Sequence, residues 1–179
     1  VFVLHTVQMA MWVVIPSQLL ALHVSHQQST WLYLCVILLS MGVMVPFIIR
    51  AEKHNKMFEV MRLAMVVILV AQLVLLAESN ASIYWIALAL LLFFSGFNVL
   101  EATQPSLLSK LTHPSTKGSA SGVYNTIQAL GLFAGSMLGA WLSSHWGFRG
   151  VFIGSSVLVL VWLVLHQLFV VQLFAAKRS

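Results

Sequence analysis

Apolar residues fill this chain in six long blocks separated by short polar stretches. The blocks cover residues 1–22, 31–49, 57–76, 82–106, 120–142 and 151–174. Each is near the roughly 20 residues a helix needs to cross the hydrocarbon of a bilayer. Leu, Ala, Val and Met dominate them, and the apolar–polar alternation of a membrane β-strand is absent. The pattern predicts an all-α membrane protein with six transmembrane helices and a short tail at 175–179. The two sets of three spans run in opposite directions, which is the arrangement of two inverted three-helix repeats.

Composition sharpens this picture. The chain of 179 residues is 60% hydrophobic and 7% charged, with mean hydropathy +0.97, whereas soluble domains carry about 25% charged residues. Nine Lys and Arg against four Asp and Glu make it basic. Those cations are scattered over the connections instead of gathered on one face, which argues against a nucleic-acid partner and makes them topology signals. Arg50, Lys53, Lys56 and Arg62 flank the second connection, Lys110 and Lys117 the fourth, and Lys177 and Arg178 lie in the tail. Only Arg149 falls on the other side. The positive-inside rule then places both termini in the cytoplasm, and Trp31, Tyr33, Tyr84, Trp85, Trp141 and Trp146 at the outer interface. No basic segment precedes the first block, so no signal peptide is expected, and the chain reads as a piece of something longer.

Polar residues inside the blocks follow helical spacing. Glu101 is the acidic residue nearest a span's interior. A rise of about 1.5 Å per residue puts it on the order of 25 Å below the outer aromatic belt, near the inner boundary. A carboxylate there marks either a functional site or an ion pair with a nearby cation. His5, Gln8 and Trp12 share a stripe of span one; Phe94, Asn98 and Glu101 share one of span four; Asn125 and Gln128 share one of span five. His5, Gln8, Asn98, Glu101, Asn125 and Gln128 thus form one polar layer. It is either the floor of a central cavity or interhelical glue. The outer halves of these stripes are apolar apart from Pro16 and Gln18. Spans three and six lack such a stripe, with Gln72, His166 and Gln167 isolated, and are expected to face lipid. Gly131, Gly135 and Gly139 of span five make a tandem G-x-x-x-G, a close-packing face or a surface for rocking.

Other chemistry finds little support. Cys35 lies in an apolar run, is expected to be buried, and has no Cys or His at metal-binding spacing around it. No zinc-protease, nucleophile-elbow or phosphate-loop motif occurs, so neither enzyme activity nor a bound cofactor is expected. His5 and His166 sit at similar depth, which leaves open a small complete six-helix protein with a haem, electron-transfer or scaffold role.

A family resemblance joins these residues. F-V-L-H at Phe2–His5, P-S-Q at Pro16–Gln18, V-P-F-I-I-R-A-E at Val45–Glu52, F-N-V-L-E at Phe97–Glu101, P-S-L-L-S-K at Pro105–Lys110 and K-G-S-A-S-G-V-Y at Lys117–Tyr124 resemble the carboxy-terminal half of a major facilitator superfamily transporter. Among its branches the set is similar to the YajR-like group of bacterial inner-membrane, proton-coupled drug exporters. The loop Ala51–Lys56 is similar to a degenerate copy of that superfamily's cytoplasmic signature, with Arg50 at a position that is apolar in the signature. The resemblance implies a missing amino-terminal six-helix half, a small and possibly hydrophobic substrate, and protons as partners. It also implies a central cavity with Gln8, Trp12, Gln18, Phe94, Asn98, Asn125 and Gln128 in its lining. Glu101, His5, Glu52, Lys53 and Lys56 are the coupling or gate candidates.

Overall fold

The computed structural model describes residues 1–54, 56–77 and 82–176. They form helices α1 (Phe2–Ala21), α2 (His26–Lys53), α3 (Met57–Ala77) and α4 (Ile83–Leu111), a 3-10 turn at Pro114–Thr116, and α5 (Lys117–Ala176). No strand occurs among the described residues. All five helices are long and apolar enough to cross a membrane. Most of the expected third connection, 78–81, and the tail cations Lys177 and Arg178 lie outside the described residues, as does Asn55.

Local chemistry sets several boundaries. His23 adopts φ 57° at the end of α1. Val24 N–H then reaches Leu19 O at 3.1 Å and His23 N–H reaches Leu20 O at 2.9 Å, a Schellman closure with His in the place that Gly commonly takes. α2 starts at His26, five residues before the apolar block, because Ser25 and Gln28 cap each other. Gln28 N–H donates to Ser25 Oγ at 3.3 Å, and Ser25 N–H donates to Gln28 Oε1 at 3.0 Å. The apolar block therefore marks the lipid-sized core of the helix and not its ends.

The expected loop at 143–150 is largely helical instead. α5 runs on through it and is broken only at Gly147, whose φ 63°, ψ −162° lie in a region open essentially to Gly alone. The break yields a first arm (117–146) and a second arm (148–176), so the count of six crossings stands. Gln128 of the first arm meets His5 at the start of α1, and Gln167 of the second meets Arg62 at the start of α3. The arms are therefore antiparallel, and Gly154 packs onto Leu142 just across the break.

Close packing follows the small residues. A methyl group on Gly131 would come within 2.6 Å of Phe2 O, and one on Gly139 within 2.7 Å of Ala10 Cα. Gly135 between them leaves even less room against Thr6 O. The tandem G-x-x-x-G therefore seats α1 against the first arm, backbone to backbone. Gly96 does the same for α4, facing Ala64 and Ile68 of α3. α1, α3 and α4 bury continuous stripes, while α2 buries only Val36, Ser40 and Ala51.

Several expectations change. α3 is not a plain lipid-facing rod: Gln72 is 0% exposed, with neither amide atom hydrogen-bonded, inside its inward stripe. Gln167 is not isolated either, since Arg62 Nη1 donates to its Oε1 at 3.3 Å. Cys35 is exposed, not buried, because α2 stands off α4 there around an open apolar cavity that Cys35 borders. Tyr33 packs on Trp12 with ring centroids 5.2 Å apart, a partner inside the bundle that the aromatic-belt reading did not foresee. Trp31, Tyr84, Trp85, Trp141 and Trp146 are exposed near the ends of their helices, as a belt requires.

Candidate functional site at the cation-rich end

Three helix ends converge where most cations lie: the start of α1, the last third of α4 and the start of the first arm. Helical register turns His5 of α1 inward, where it is 3% exposed. Its Nδ1 lies 3.1 Å from Val1 O. A carbonyl only accepts, so Nδ1 carries a proton. The opposite nitrogen, Nε2, then meets two groups at once. Gln128 Nε2 is 2.9 Å away and Glu101 Oε2 is 3.2 Å away. The side chain of Phe97 closes the imidazole's edge, with centroids 5.7 Å apart.

Glu101 occupies an intermediate position, 35% exposed. Its Oε2 is fully buried and, although near His5, receives no well-directed hydrogen bond. The side chain also borders a cavity of ≈ 260 Å³, walled by Pro105, Tyr124, Asn125 and Gln128 among others. An unsatisfied buried carboxylate oxygen is costly unless a proton settles on it or on its neighbour. With Nε2 as acceptor, the Gln128 amide donates to it and the Glu101 oxygen faces a lone pair. A proton placed on Glu101, or on His5 Nε2 with the Gln128 amide turned round, removes that conflict.

The expected six-residue layer divides into two groups. Asn98 and Glu101 share a stripe of α4 but lie about one turn apart along it, and each meets a different helix. Asn98 Nδ2 donates to Ser40 Oγ of α2 at 2.9 Å, while Glu101 turns to α1 and the first arm. Asn125 is exposed on the cavity wall, and Gln8 is half-buried and not among the lining residues. Trp12 and Phe94 form an aromatic group with Tyr33, the Trp12–Phe94 centroids being 5.9 Å apart. Gln18 is buried near the far end of α1, its Oε1 unpartnered; it belongs to a different level from the polar cluster.

The gate candidates separate as well. Glu52 is bound by α4: Ser106 Oγ donates to its Oε1 at 2.8 Å, and Lys110 pairs with its Oε2. Lys56 pairs with Glu59 at 3.2 Å, and among the described residues Lys53 makes no ion pair. Neither lysine pairs with Glu52 or Glu101.

Sequence reasoning missed Ser40, Gln104 and Tyr124. Gln104 follows Glu101 by three residues and accepts from Tyr124 Oη at 3.5 Å, so extending the α4 stripe by one step would have found it. Ser40 had no such signal, as it stands alone in an apolar run. The haem alternative finds no support in the geometry. His5 is enclosed by Val1, Glu101 and Gln128, whereas His166 lies against Phe58 of α3 at a 6.2 Å centroid distance.

Comparison with known proteins agrees with this architecture. The family profile described as Major Facilitator Superfamily matches residues 1–177. The inner membrane transport protein YajR of Escherichia coli is 37% identical over 160 residues, covering 89% of this chain and 35% of that protein. An uncharacterized transporter of Buchnera aphidicola from Acyrthosiphon pisum is 29% identical over 135 residues, 75% of this chain and 34% of its own length. Another, from the Buchnera of Baizongia pistaciae, is 24% identical over 176 residues, or 96% and 44% respectively. The chain thus spans between a third and a half of the relatives it matches. With a match along nearly its whole length, the chain belongs to the Major Facilitator Superfamily, a family of membrane transporters and not of enzymes.

Proposed function

We propose that this chain is the second half of a secondary active transporter working by alternating access, in which protons drive the outward movement of a small, apolar molecule across a bacterial inner membrane. The observation that carries this reading is the contact of Glu101 with His5, beside the cavity that Glu101 borders at the cation-rich end of the bundle. The pair takes up and releases one proton, carried on Glu101 or on His5 Nε2, and Gln128 reorients with it. A charge that appears or vanishes between three helices is the kind of change that biases a two-state bundle. Helix–helix contacts of about 0.6–2 kcal/mol each are weak enough to be redistributed by one proton.

The remaining residues fit the same scheme. The aromatic group of Trp12, Tyr33 and Phe94 stands about 10 Å along α1 from His5, by helical rise, and suits an apolar substrate. Asn125, Gln128 and Gln8 offer it polar edges. The exposed faces of α2 and of the first arm fit the missing amino-terminal half, which supplies the opposite wall. The cation-rich end faces the cytoplasm by the positive-inside rule, with both termini there.

Glu101→Gln in the intact protein tests the reading in proteoliposomes under an imposed pH gradient. The expected result is substrate exchange that persists but no longer responds to the gradient. PH-driven transport equal to that of the unaltered protein removes Glu101 from the mechanism.

A further inference from the structure

A second cavity lies at the cation-rich end, on a different face from the Glu101 cluster. It measures ≈ 300 Å³ and sits where the end of α2, the start of α3 and the second arm of α5 meet. Arg50 and Arg62 stand beside an apolar wall of Val60, Leu63, Val66 and Leu163. A smaller cavity of ≈ 120 Å³ shares Glu59 and Arg62 with it and adds Lys56 and His166.

The charges here do not cancel. Glu59 is the one acid in either lining, and Lys56 already pairs with it at 3.2 Å. Among the described residues neither arginine makes an ion pair, and Arg62 donates to the neutral amide of Gln167 instead. Both ring nitrogens of His166 are buried without a hydrogen-bond partner. From the same cavity an apolar row climbs the outside of α3: Leu63, Val66, Val70 and Leu73, all exposed. Their i, i+3, i+7, i+10 spacing keeps them on one face.

Two uncompensated guanidiniums at the foot of an exposed apolar row match one kind of molecule. Guanidinium presents paired N–H donors to phosphate oxygens, and an acyl chain covers the row above. A zwitterionic head brings its own ammonium, which two free cations disfavour. We propose that Arg50 and Arg62 form a headgroup site for an anionic phospholipid, with one acyl chain lying along the α3 row. Basic pockets between membrane helices are suited to such heads. The site is built without Glu101, His5 or Gln128, so it stands apart from the transport reading.

The test uses the intact protein carrying this chain, in nanodiscs of phosphatidylcholine with or without phosphatidylglycerol, followed by native mass spectrometry. The unaltered protein retains phosphatidylglycerol over phosphatidylcholine. The double variant Arg50→Gln with Arg62→Gln lowers that preference by roughly twenty- to thirtyfold, at about fivefold per cation. Arg149→Gln removes an equal charge at the opposite end and leaves it unchanged. Where the double variant does not accumulate, Arg50→Gln alone reads the same preference at about fivefold. Equal retention of both lipids by the unaltered protein, or an equal loss in Arg149→Gln, overturns the site. Displacement of phosphatidylglycerol by inorganic phosphate overturns the lipid assignment and leaves a simple phosphate site.

Discussion

Two interfaces in this bundle are equivalent by topology and built by opposite means. Exchanging the first three spans for the last three maps α1 onto α4, and α2 onto the first arm of α5. The pair of α1 with the first arm therefore corresponds to the pair of α4 with α2, and both pairs run parallel. The first is joined through backbone: Gly131, Gly135 and Gly139 lie directly on Phe2, Thr6 and Ala10, and Thr6 Oγ1 donates to Gly131 O at 3.2 Å. The second is joined at discrete polar points, Ser40 with Asn98 and Glu52 with Ser106 and Lys110. Toward its other end α2 stands off α4 around an apolar cavity of ≈ 530 Å³ bordered by Trp31, Cys35 and Leu88. Inverted repeats thus preserve helix order without preserving the way helices are held. The glycine-packed pair gains continuous dispersion contacts from Phe2 to Ala10, backbone against backbone. The pegged pair has a few weak points about which α2 can move.

Breaking the glycine interface gives the largest effect. Gly135→Leu places a side chain where Thr6 O already lies, and overpacking of this kind costs about 3 kcal/mol or more. Loss of the folded species in size-exclusion profiles is expected, whereas Gly122→Ala, in open space on the same arm, leaves the profile unchanged. A normal profile for Gly135→Leu would mean that α1 and the first arm separate easily, and the contrast with α2 would fail.

The pegged interface should yield more gently. Asn98→Ala removes the amide that reaches Ser40, an effect of about 0.6–2 kcal/mol in a membrane. A modest fall in detergent melting temperature is the expected reading. An unchanged melting temperature in that variant would instead show that α2 is held by its apolar contacts.

Lys110→Gln should do least. Glu52 and Lys110 are both exposed, and salt screens such pairs. A melting temperature close to that of the unaltered protein in high salt is expected, with any difference confined to low salt. A large, salt-independent loss would make this contact a structural lock equal to the glycine seam.

Some residues declared their surroundings in the sequence and others did not. Gly131, Gly135 and Gly139 were legible as a packing face because three small residues at fixed spacing leave few alternatives in lipid. Glu101, His5 and Gln128 were legible as sharing one level because helical rise alone sets their depth; that they touch came from the packing. Asn98 misled, since depth does not tell which helix a side chain meets: it shares a stripe with Glu101 but reaches Ser40 of α2. Gln72 looked like a stray polar residue on a lipid face and is buried against the bundle. The helical continuation through 143–150 was also hidden, because hydropathy reports where lipid begins and not where backbone hydrogen bonding ends.

The linear order of residues determined the number of crossings, the end of the bundle at which cations gather, and the level of each polar side chain. Those follow from transfer energies and from a constant rise per residue, both local quantities. Which neighbour each side chain meets was decided only by assembly: Glu52 by α4, Arg50 beside Arg62, Tyr33 on Trp12. Azimuth around a helix has no meaning until a second helix packs against it, and packing is a property of pairs.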